Sequence, residues 1–290
     1  MPARVWTALA GLITVLLVAV VGLDQWQARR GEASLFGLPW RASPAPAASA
    51  PVMPKSRELP PPVPSSGLAG APRIAVIVDD LGARRDVFDG LREIRRPLTV
   101  AVLPGLPLSE WTAREATQSG MEVLLDLPME PYRYPEVDPG PGALLMSMTP
   151  RELQVQLGGH LASVPGAVGI TNHMGSRMTE DHASMRTVLE VMAGRRLFLV
   201  DGLTSNLSVA YDEAKAQGLR AGRRQVTVDH MAGEAGDRVR WDEVTWWAEK
   251  RGEAIVIAHG HPLTARLLRE YVPRWEARGI RLVPVSQLAR

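Results

Sequence analysis

The chain has 290 residues, of which 46% are hydrophobic, and this is enough to bury the core of one large domain or two small ones. Its 33 basic and 31 acidic residues leave a formal net charge of only +2, and no basic run is interleaved with aromatic residues, so nucleic acid is a poor candidate for a partner. The absence of cysteine excludes disulfide bonds, thiolate metal sites and a cysteine nucleophile, which leaves His, Asp and Glu as metal ligands.

The first element is an uncharged stretch at residues 5–23, VWTALAGLITVLLVAVVGL. An uncharged stretch of about 18 residues or more can cross the hydrocarbon core as a helix. We therefore interpret residues 1–24 as a single-pass membrane anchor. A cleaved signal peptide is the alternative, but its apolar region normally runs about 7 to 15 residues and ends at a small-residue cleavage site. The charges on the two flanks do not decide the orientation.

A linker rich in alanine and proline follows at residues 25–72. Nine prolines fall between residues 41 and 72, and proline supplies no backbone donor and favours extended conformations. The segment has neither helical nor strand periodicity. We predict a disordered spacer between the anchor and the domain at residues 73–290, rather than an ordered cap over that domain.

From Arg73 onward a pattern repeats: a short apolar run rich in β-branched residues, a polar loop and an amphipathic helical stretch. Continuous apolar runs are typical of strands that are covered on both faces, and helices between parallel strands provide that cover. The eight predicted strands are 73–78, 97–103, 122–127, 167–171, 196–200, 225–228, 254–258 and 281–285. The seven predicted helices are 83–95, 107–119, 150–163, 180–193, 205–217, 237–251 and 263–278.

This alternation predicts an α/β fold, a closed or nearly closed (β/α) barrel with parallel strands. An open doubly wound sheet is the alternative. Two predicted helices begin with capping residues, because Thr149 precedes Pro150 and Thr179 precedes an acidic pair. His160 and His182 fall on predicted helices and are expected at the surface.

Most strand runs are followed directly by side chains that can bind a metal or move a proton. Because the carboxyl ends of parallel strands lie on one face of a barrel, residues far apart in sequence are expected to converge on a single mouth. These residues are Asp79 and Asp80, Asp126, Asn172 and His173, Asp201, Asp229 and His230, and His259 with His261. The convergence predicts an active site.

The pair Asp79 and Asp80 follows a buried strand in the motif VDDLG. Successive side chains of a strand point in different directions, so one carboxylate could bind a metal while the other acts as a base. The alternative is that one aspartate caps the following turn and the other is solvated.

Two further motifs carry histidines. TNHMGSRMT at 171–179 places His173 in a loop with Asn172, Ser176 and Arg177, a density of hydrogen-bonding side chains that is typical of a site. IAHGHP places His259 at a strand end, where an imidazole could ligate zinc or protonate a leaving amine.

From Arg73 to its end the chain resembles the divergent polysaccharide deacetylases, a distant branch of the metal-dependent carbohydrate esterases. The resemblance rests on six motifs in the family's order. These are IVDDLG (77–82), LTVAVLP (98–104), EVLLDLPMEP (122–131), TNHMGSRMT (171–179), FLVDGLTS (198–205) and IAHGHPLT (257–264).

The resemblance implies a deacetylase-like barrel with a divalent metal, zinc by preference. It matches Asp79 to the catalytic base, Asp80 and His173 to metal ligands, and His259 to a ligand that lies where the late catalytic histidine is found. Asp126 stands where the family often carries histidine, and its carboxylate can still ligate a metal. Gly260 stands where the family has proline. Further candidates within or beside the motifs are Asp126, Glu130, Asn172, Ser176, Arg177, Asp201, Asp229 and His261.

The function implied is hydrolysis of acetyl groups on an acetylated envelope glycan. The protein would lie in the bacterial inner membrane, held by its single helix, with the domain in the periplasm or otherwise outside the cytoplasm. Two alternatives stay open, because one fold supports many functions. One is a catalytically inactive binding or scaffold protein, and the other is a different metal hydrolase, such as an amidase acting on peptidoglycan stems.

Overall fold

A computed structural model describes residues 70–229 and 233–290. The predicted anchor, nearly all of the predicted linker and His230 lie outside the described residues. Within the described ranges, no helix combines the length and the apolar character that a bilayer span requires.

The domain alternates strands with helices, as the sequence pattern predicts. The described strands are β1 (Arg73–Leu81), β2 (Thr99–Val102), β3 (Glu122–Met129), β4 (Gly169–Met174), β5 (Phe198–Asp201), β6 (Ala221–Arg223), β7 (Val226–Thr227), β8 (Glu253–His259) and β9 (Arg281–Leu282). The described α-helices are α1 (Arg85–Arg92), α2 (Ser109–Gln118), α3 (Pro150–Ser163), α4 (His182–Gly194), α5 (Ala210–Ala216), α6 (Glu234–Arg251) and α7 (Pro262–Ala277).

Every strand pairing in the sheet is parallel, and the strand order is β6-β5-β4-β3-β2-β1-β8-β7, with β9 paired to β1. The parallel α/β class is therefore confirmed. The sheet is not a barrel closed by hydrogen bonds, because β6 and β7 are its two edges and no pairing joins them in the described structure.

The sheet nevertheless curls until its edges almost meet. The N–H of Arg224 donates to the carbonyl of Asp201 in β5 at 3.1 Å, and the N–H of Gln225 donates to Ile255 in β8 at 2.9 Å. Arg224 and Gln225, which are consecutive in the chain, therefore bond to strands that lie near the two opposite edges of the sheet. The side chain of Gln225 also accepts the N–H of Ile255 at 2.6 Å. This backbone donor of β8 is thus satisfied in the gap between β6 and β7.

Strand residues alternate between two apolar layers. One set of side chains packs outward against the helices, and the other fills the inside of the curl. The C-terminal segment completes the inner layer with Val283, Val285, Leu288 and Ala289. Thr99 holds this segment, because its hydroxyl accepts the N–H of Val285 at 3.0 Å.

Helix starts follow the sequence signals in one case and depart from them in another. Thr149 and Glu152 form the reciprocal capping box that Thr149 and Pro150 predict for α3. Asp181, rather than Thr179, caps α4 by accepting the N–H of Ser184 at 2.7 Å. Thr179 instead belongs to a short 3₁₀ turn at Met178–Glu180.

The structure also corrects three other sequence predictions. Strand β6 was not predicted, because its three residues are too few to form an apolar run. The last predicted strand, 281–285, is paired only over β9, and a 3₁₀ turn follows at Val285–Gln287. His160 is buried rather than exposed, and its Nε2 bonds to the carbonyl of Gly142 at 2.7 Å.

Gly169 in β4 provides a test of packing inside the curl. A Cβ added there would lie 2.7 Å from the carbonyl oxygen of Phe198 and 2.9 Å from its ring. We expect Gly169→Ala to reduce the free energy of unfolding by about 1–3 kcal/mol through overpacking, measured by urea denaturation. In the matched control Gly159→Ala, in α3, nothing lies within 4 Å of the added Cβ, and the stability should rise by up to about 1 kcal/mol. Equal effects at the two positions would contradict this packing.

Candidate functional site

The carboxyl ends of the strands present polar side chains to the inside of the curl. On three strands a core residue of the inner layer is followed two positions later by a titratable residue, and side chains two apart share a face. The pairs are Ile77 with Asp79, Leu124 with Asp126 and Ile257 with His259. The predicted convergence of these strand ends on one mouth therefore has a structural cause in the alternation of the strands.

Asp80 reaches the same mouth through an irregularity in β1. The pairing of β1 with β2 shifts register between Val78 and Leu81, and Asp80 has a φ of 58°. A bulge with a left-handed residue re-aims side chains, and such strained positions cluster at functional sites. The N–H of Asp80 donates to Oδ2 of Asp126 at 3.1 Å, which fixes the bulge against β3.

Asp80, Asp126 and His173 form a group whose possible ligand atoms all lie within 4.8 Å of one another. Nδ1 of His173 lies 2.8 Å from Oδ1 of Asp80 and 3.9 Å from Oδ2 of Asp126. Asp126 is fully buried, and its Oδ1 has no hydrogen-bond partner among the described residues. A buried, unpartnered carboxylate oxygen beside an imidazole fits a divalent cation.

The pKa values of this group reflect burial and mutual charge. Burial raises the pKa of Asp126 to about 6, although the charge of His173 opposes the rise. Burial works against protonation of His173, but its hydrogen bond to Asp80 and the charge of Asp126 raise its pKa overall. The pKa of Asp80 is lowered: burial acts in the opposite direction, and the hydrogen bond and charge of His173 outweigh it.

A second group consists of Asp79, Asp80 and His259, again with ligand atoms within 4.8 Å. Asp229 holds His259 with both carboxylate oxygens: Oδ1 bonds to Nδ1 and Oδ2 accepts the backbone N–H, each at 2.7 Å. A carboxylate on one ring nitrogen fixes the tautomer and orientation of a histidine.

The pKa values of Asp79 and His259 in the second group are both raised. Burial, followed by the charge of Asp126, raises the pKa of Asp79 well above its ordinary value. The hydrogen bond to Asp229 raises the pKa of His259 to about 9, against the effect of burial. His259 is therefore protonated at neutral pH. Oδ1 of Asp79 is buried without a hydrogen-bond partner among the described residues.

Asp80 belongs to both groups, whereas the two histidines are divided between them. From the sequence, Asp80, His173 and His259 were expected around a common ion. In the described part of the chain His173 is grouped with Asp126, and His259 is grouped with Asp79. The sheet order explains this division, since β3, β2 and β1 separate β4 from β8.

Two of the further candidates hold the loop after β5. Asn172 donates to the carbonyl of Met174 at 2.8 Å and accepts the N–H of Gly202 at 2.8 Å. Asp201 is fully buried, and it accepts the N–H of Leu203 at 2.8 Å and the hydroxyl of Ser208 at 3.0 Å. Both side chains thus accept backbone N–H groups of the loop after β5, and Asn172 also bonds within β4.

Three other candidates, Glu130, Ser176 and Arg177, connect the loops that follow β3 and β4. Buried Glu130 pairs with Arg177 at 2.7 Å and accepts the N–H of Met146 at 2.8 Å. The hydroxyl of Ser176 accepts the N–H of Tyr132 at 3.2 Å. These contacts join the loop after β3 to the loop after β4. The remaining candidate, His261, is exposed at the start of α7, with its ring centre 6.4 Å from that of His259.

Arg224 is a site residue that the sequence did not reveal. Its guanidinium donates to the carbonyls of Gly202 at 2.6 Å and Leu203 at 2.8 Å. Burial lowers its pKa, and the charges of Asp201 and Asp79 act in the opposite direction. Arg224 therefore places a positive charge near the buried Asp79. Arg224 directly follows β6. That strand was too short to predict, so Arg224 was not recognised as a residue at the carboxyl end of a strand.

The fold and this mouth define a parallel α/β protein with a carboxylate and histidine centre. Residues 76–289 match the model of a family described as divergent polysaccharide deacetylase. The chain is 33% identical over 205 residues to the uncharacterized protein YibQ of Escherichia coli (strain K12), a match that covers 71% of this chain and 63% of YibQ. An uncharacterized protein of Haemophilus influenzae is 28% identical over 197 residues, covering 68% of this chain and 70% of its own length.

A crystal structure of an uncharacterized protein from Agrobacterium tumefaciens C58 has 25% identity and a TM-score of 0.72, covering 77% of this chain and 91% of that protein. The chain belongs to the divergent polysaccharide deacetylase family, since the family match takes in the domain from β1 to the C-terminal segment. The match to YibQ spans less than two thirds of YibQ itself.

The two hydrogen bonds between Asp229 and His259 allow a prediction about the pKa of His259. We expect Asp229→Asn to lower the pKa of His259 from about 9 toward the ordinary value of 6.5, because the main cause of the raised pKa is removed. Histidine-selective NMR titration of the chelator-treated protein measures this shift. His160, which bonds to Gly142, is the internal control and should titrate unchanged.

The same hydrogen bonds make the stability of the fold depend on pH. A histidine with a higher pKa in the folded protein than in the unfolded chain adds stability that is fully present below about pH 6.5 and is lost as the pH rises through about 9. The difference in unfolding free energy between the parent and Asp229→Asn should therefore shrink over that interval. An unchanged His259 pKa in Asp229→Asn would contradict the hydrogen bond between the two side chains.

Proposed function

We propose that this protein is a metal-dependent hydrolase that removes acetyl groups from an envelope polysaccharide. The observation that carries the proposal is the position of the Asp80, Asp126 and His173 group beside a buried carboxylate, Asp79, and a carboxylate-held imidazole, His259. The family, whose members are described as divergent polysaccharide deacetylases, supports the same chemistry.

Asp80, Asp126 and His173 would hold the metal. Their oxygen and nitrogen donors fit a divalent transition metal, and zinc is the metal that we propose. The unpartnered Oδ1 of Asp126 supports this assignment, because a buried carboxylate oxygen without a donor is costly unless a cation compensates it. When bound, the metal would act as a Lewis acid on the carbonyl of the acetyl group.

Asp79 would be the general base. Its carboxylate would take a proton from the attacking water as the oxygen of that water bonds to the acetyl carbon. The raised pKa of Asp79 makes its ionised form a stronger base, and a neighbouring cation would keep the carboxylate ionised at neutral pH. Arg224 would support the same ionised form through its positive charge.

His259 would be the general acid. It carries a proton at neutral pH, and it would give that proton to the nitrogen of the amino sugar as the bond between carbon and nitrogen breaks. Acetate and a free amine would leave. Asp229 would keep the proton-donating nitrogen directed into the mouth, since it holds the other ring nitrogen and the backbone.

We also propose that residues 5–23 anchor the protein in the bacterial inner membrane and that the domain faces the envelope. The absence of charge over 19 residues and the glycan substrate proposed above support this location.

The metal group makes a stoichiometric prediction. Elemental analysis of the purified protein should find about one divalent transition metal per chain. Asp126→Asn and His173→Ala should lose it, while Asp79→Asn should retain it. His182→Ala is the matched control, because His182 is exposed and pairs with Glu213 away from the mouth. Metal-free parent protein purified without chelator would contradict the metal site.

The assignment of Asp79 as general base predicts a specific loss of activity. The protein should release acetate from acetylated chito-oligomers. Asp79→Asn should reduce the rate by about 10²–10⁴-fold with its metal retained, because the general base is lost. An unchanged rate in Asp79→Asn would show that the base is assigned wrongly. A metal-loaded parent that releases no acetate from any acetylated glycan would favour a binding or scaffold role.

A further inference from the structure

A second pocket lies at the opposite end of the strands from the carboxylate mouth. Its volume is about 490 Å³, and it is bordered by the first residues of three strands, Arg73, Glu253 and Arg281. Arg73 precedes Asp79 by six positions in β1, so the pocket and the mouth are roughly 20 Å apart at about 3.3 Å per residue. The pocket is therefore separate from the proposed catalytic groups.

The pocket carries an excess of positive charge. Four arginines and one glutamate line it, together with Gln287 and the small residues Gly70, Ala71 and Gly252. Oε2 of Glu253 accepts from Arg73 at 2.9 Å and also from Arg290. One carboxylate oxygen is thus shared by two guanidinium groups. The four arginines that line the pocket are Arg73, Arg251, Arg281 and Arg290.

Arg281 differs from Arg73 and Arg290, the two pocket arginines that pair with Glu253. Its residue is exposed at the start of β9, and its guanidinium has no hydrogen bond or ion pair with any residue of the described ranges. At two other surface positions the guanidinium is paired with a carboxylate: Arg96 lies 2.6 Å from Glu276, and Arg278 lies 2.8 Å from Glu249. Among the described residues, no carboxylate therefore balances the charge of Arg281 as Glu276 and Glu249 balance those of Arg96 and Arg278.

We propose that this pocket binds a phosphate-bearing anion. A guanidinium presents parallel donors that match two phosphate oxygens, and several arginines around a concave surface concentrate a positive field. The side-chain amide of Gln287 adds neutral donors at the same wall. Phosphate can come from an anionic lipid headgroup or from a soluble phosphorylated molecule, and both present the same chemistry to the arginines.

Isothermal titration calorimetry of the full chain tests this site with two probes. Glycerophosphoglycerol is an anionic lipid headgroup without its acyl chains, and inorganic pyrophosphate represents a soluble phosphate. Saturable binding of one ligand per chain to either probe supports the site, and the tighter probe identifies the source. Binding should weaken as salt is raised, because the contacts are electrostatic.

Arg281→Gln should weaken the binding about tenfold or more, because one charge-assisted contact is lost. Arg278→Gln is the matched control, since it removes the same charge near the same end of the domain but outside the pocket. Both arginines are at exposed positions, and equal urea midpoints would show that folding is unaffected. Absence of saturable binding to both probes, or equal weakening in the two variants, would overturn the proposal.

Discussion

Three carboxylates share one largely buried mouth, and their repulsion is the constraint on which the site depends. Asp79 and Asp126 are buried, and each has an oxygen without a hydrogen-bond partner in the described structure. Burial raises the pKa of both, so neither stays ionised at low cost without nearby positive charge. The nearby positive groups are Arg224 and the protonated forms of His173 and His259, and each histidine is bonded to a carboxylate. The mouth is thus suited to hold a cation.

The scaffold brings this charge together in two ways. Strand alternation directs Asp79, Asp126 and His259 to the inside of the curl, where the apolar inner layer forms the floor below them. The bulge in β1 adds Asp80, which a regular strand would have turned outward toward the helices. The N–H of Asp80 then donates to Asp126, so the strained backbone is stabilised by the carboxylate that it approaches.

The sequence was sufficient to predict the parallel α/β class and the strand ends where the polar residues lie, because apolar runs and their flanks are local features. It was not sufficient to predict which residues meet. Asp229 was only a further candidate, and its role depends on β7 pairing with β8, which brings it to His259. The bulge at Asp80 and the position of Arg224 depend likewise on pairing between distant strands. Such contacts are set by the three-dimensional order of the sheet.

Charge balance explains why a carboxylate at position 126 is compatible with the proposed enzyme, although the family often has histidine there. Asp80 and Asp126 with a neutral His173 carry two negative charges, which a divalent cation would offset. Asp79 and Asp229 would then carry two negative charges, against the two positive charges of protonated His259 and Arg224. The hydrogen bond from Asp229 favours the protonated form of His259, as the proposed general acid requires. A buried mouth favours this neutral arrangement, because uncompensated charge is most costly where water is excluded.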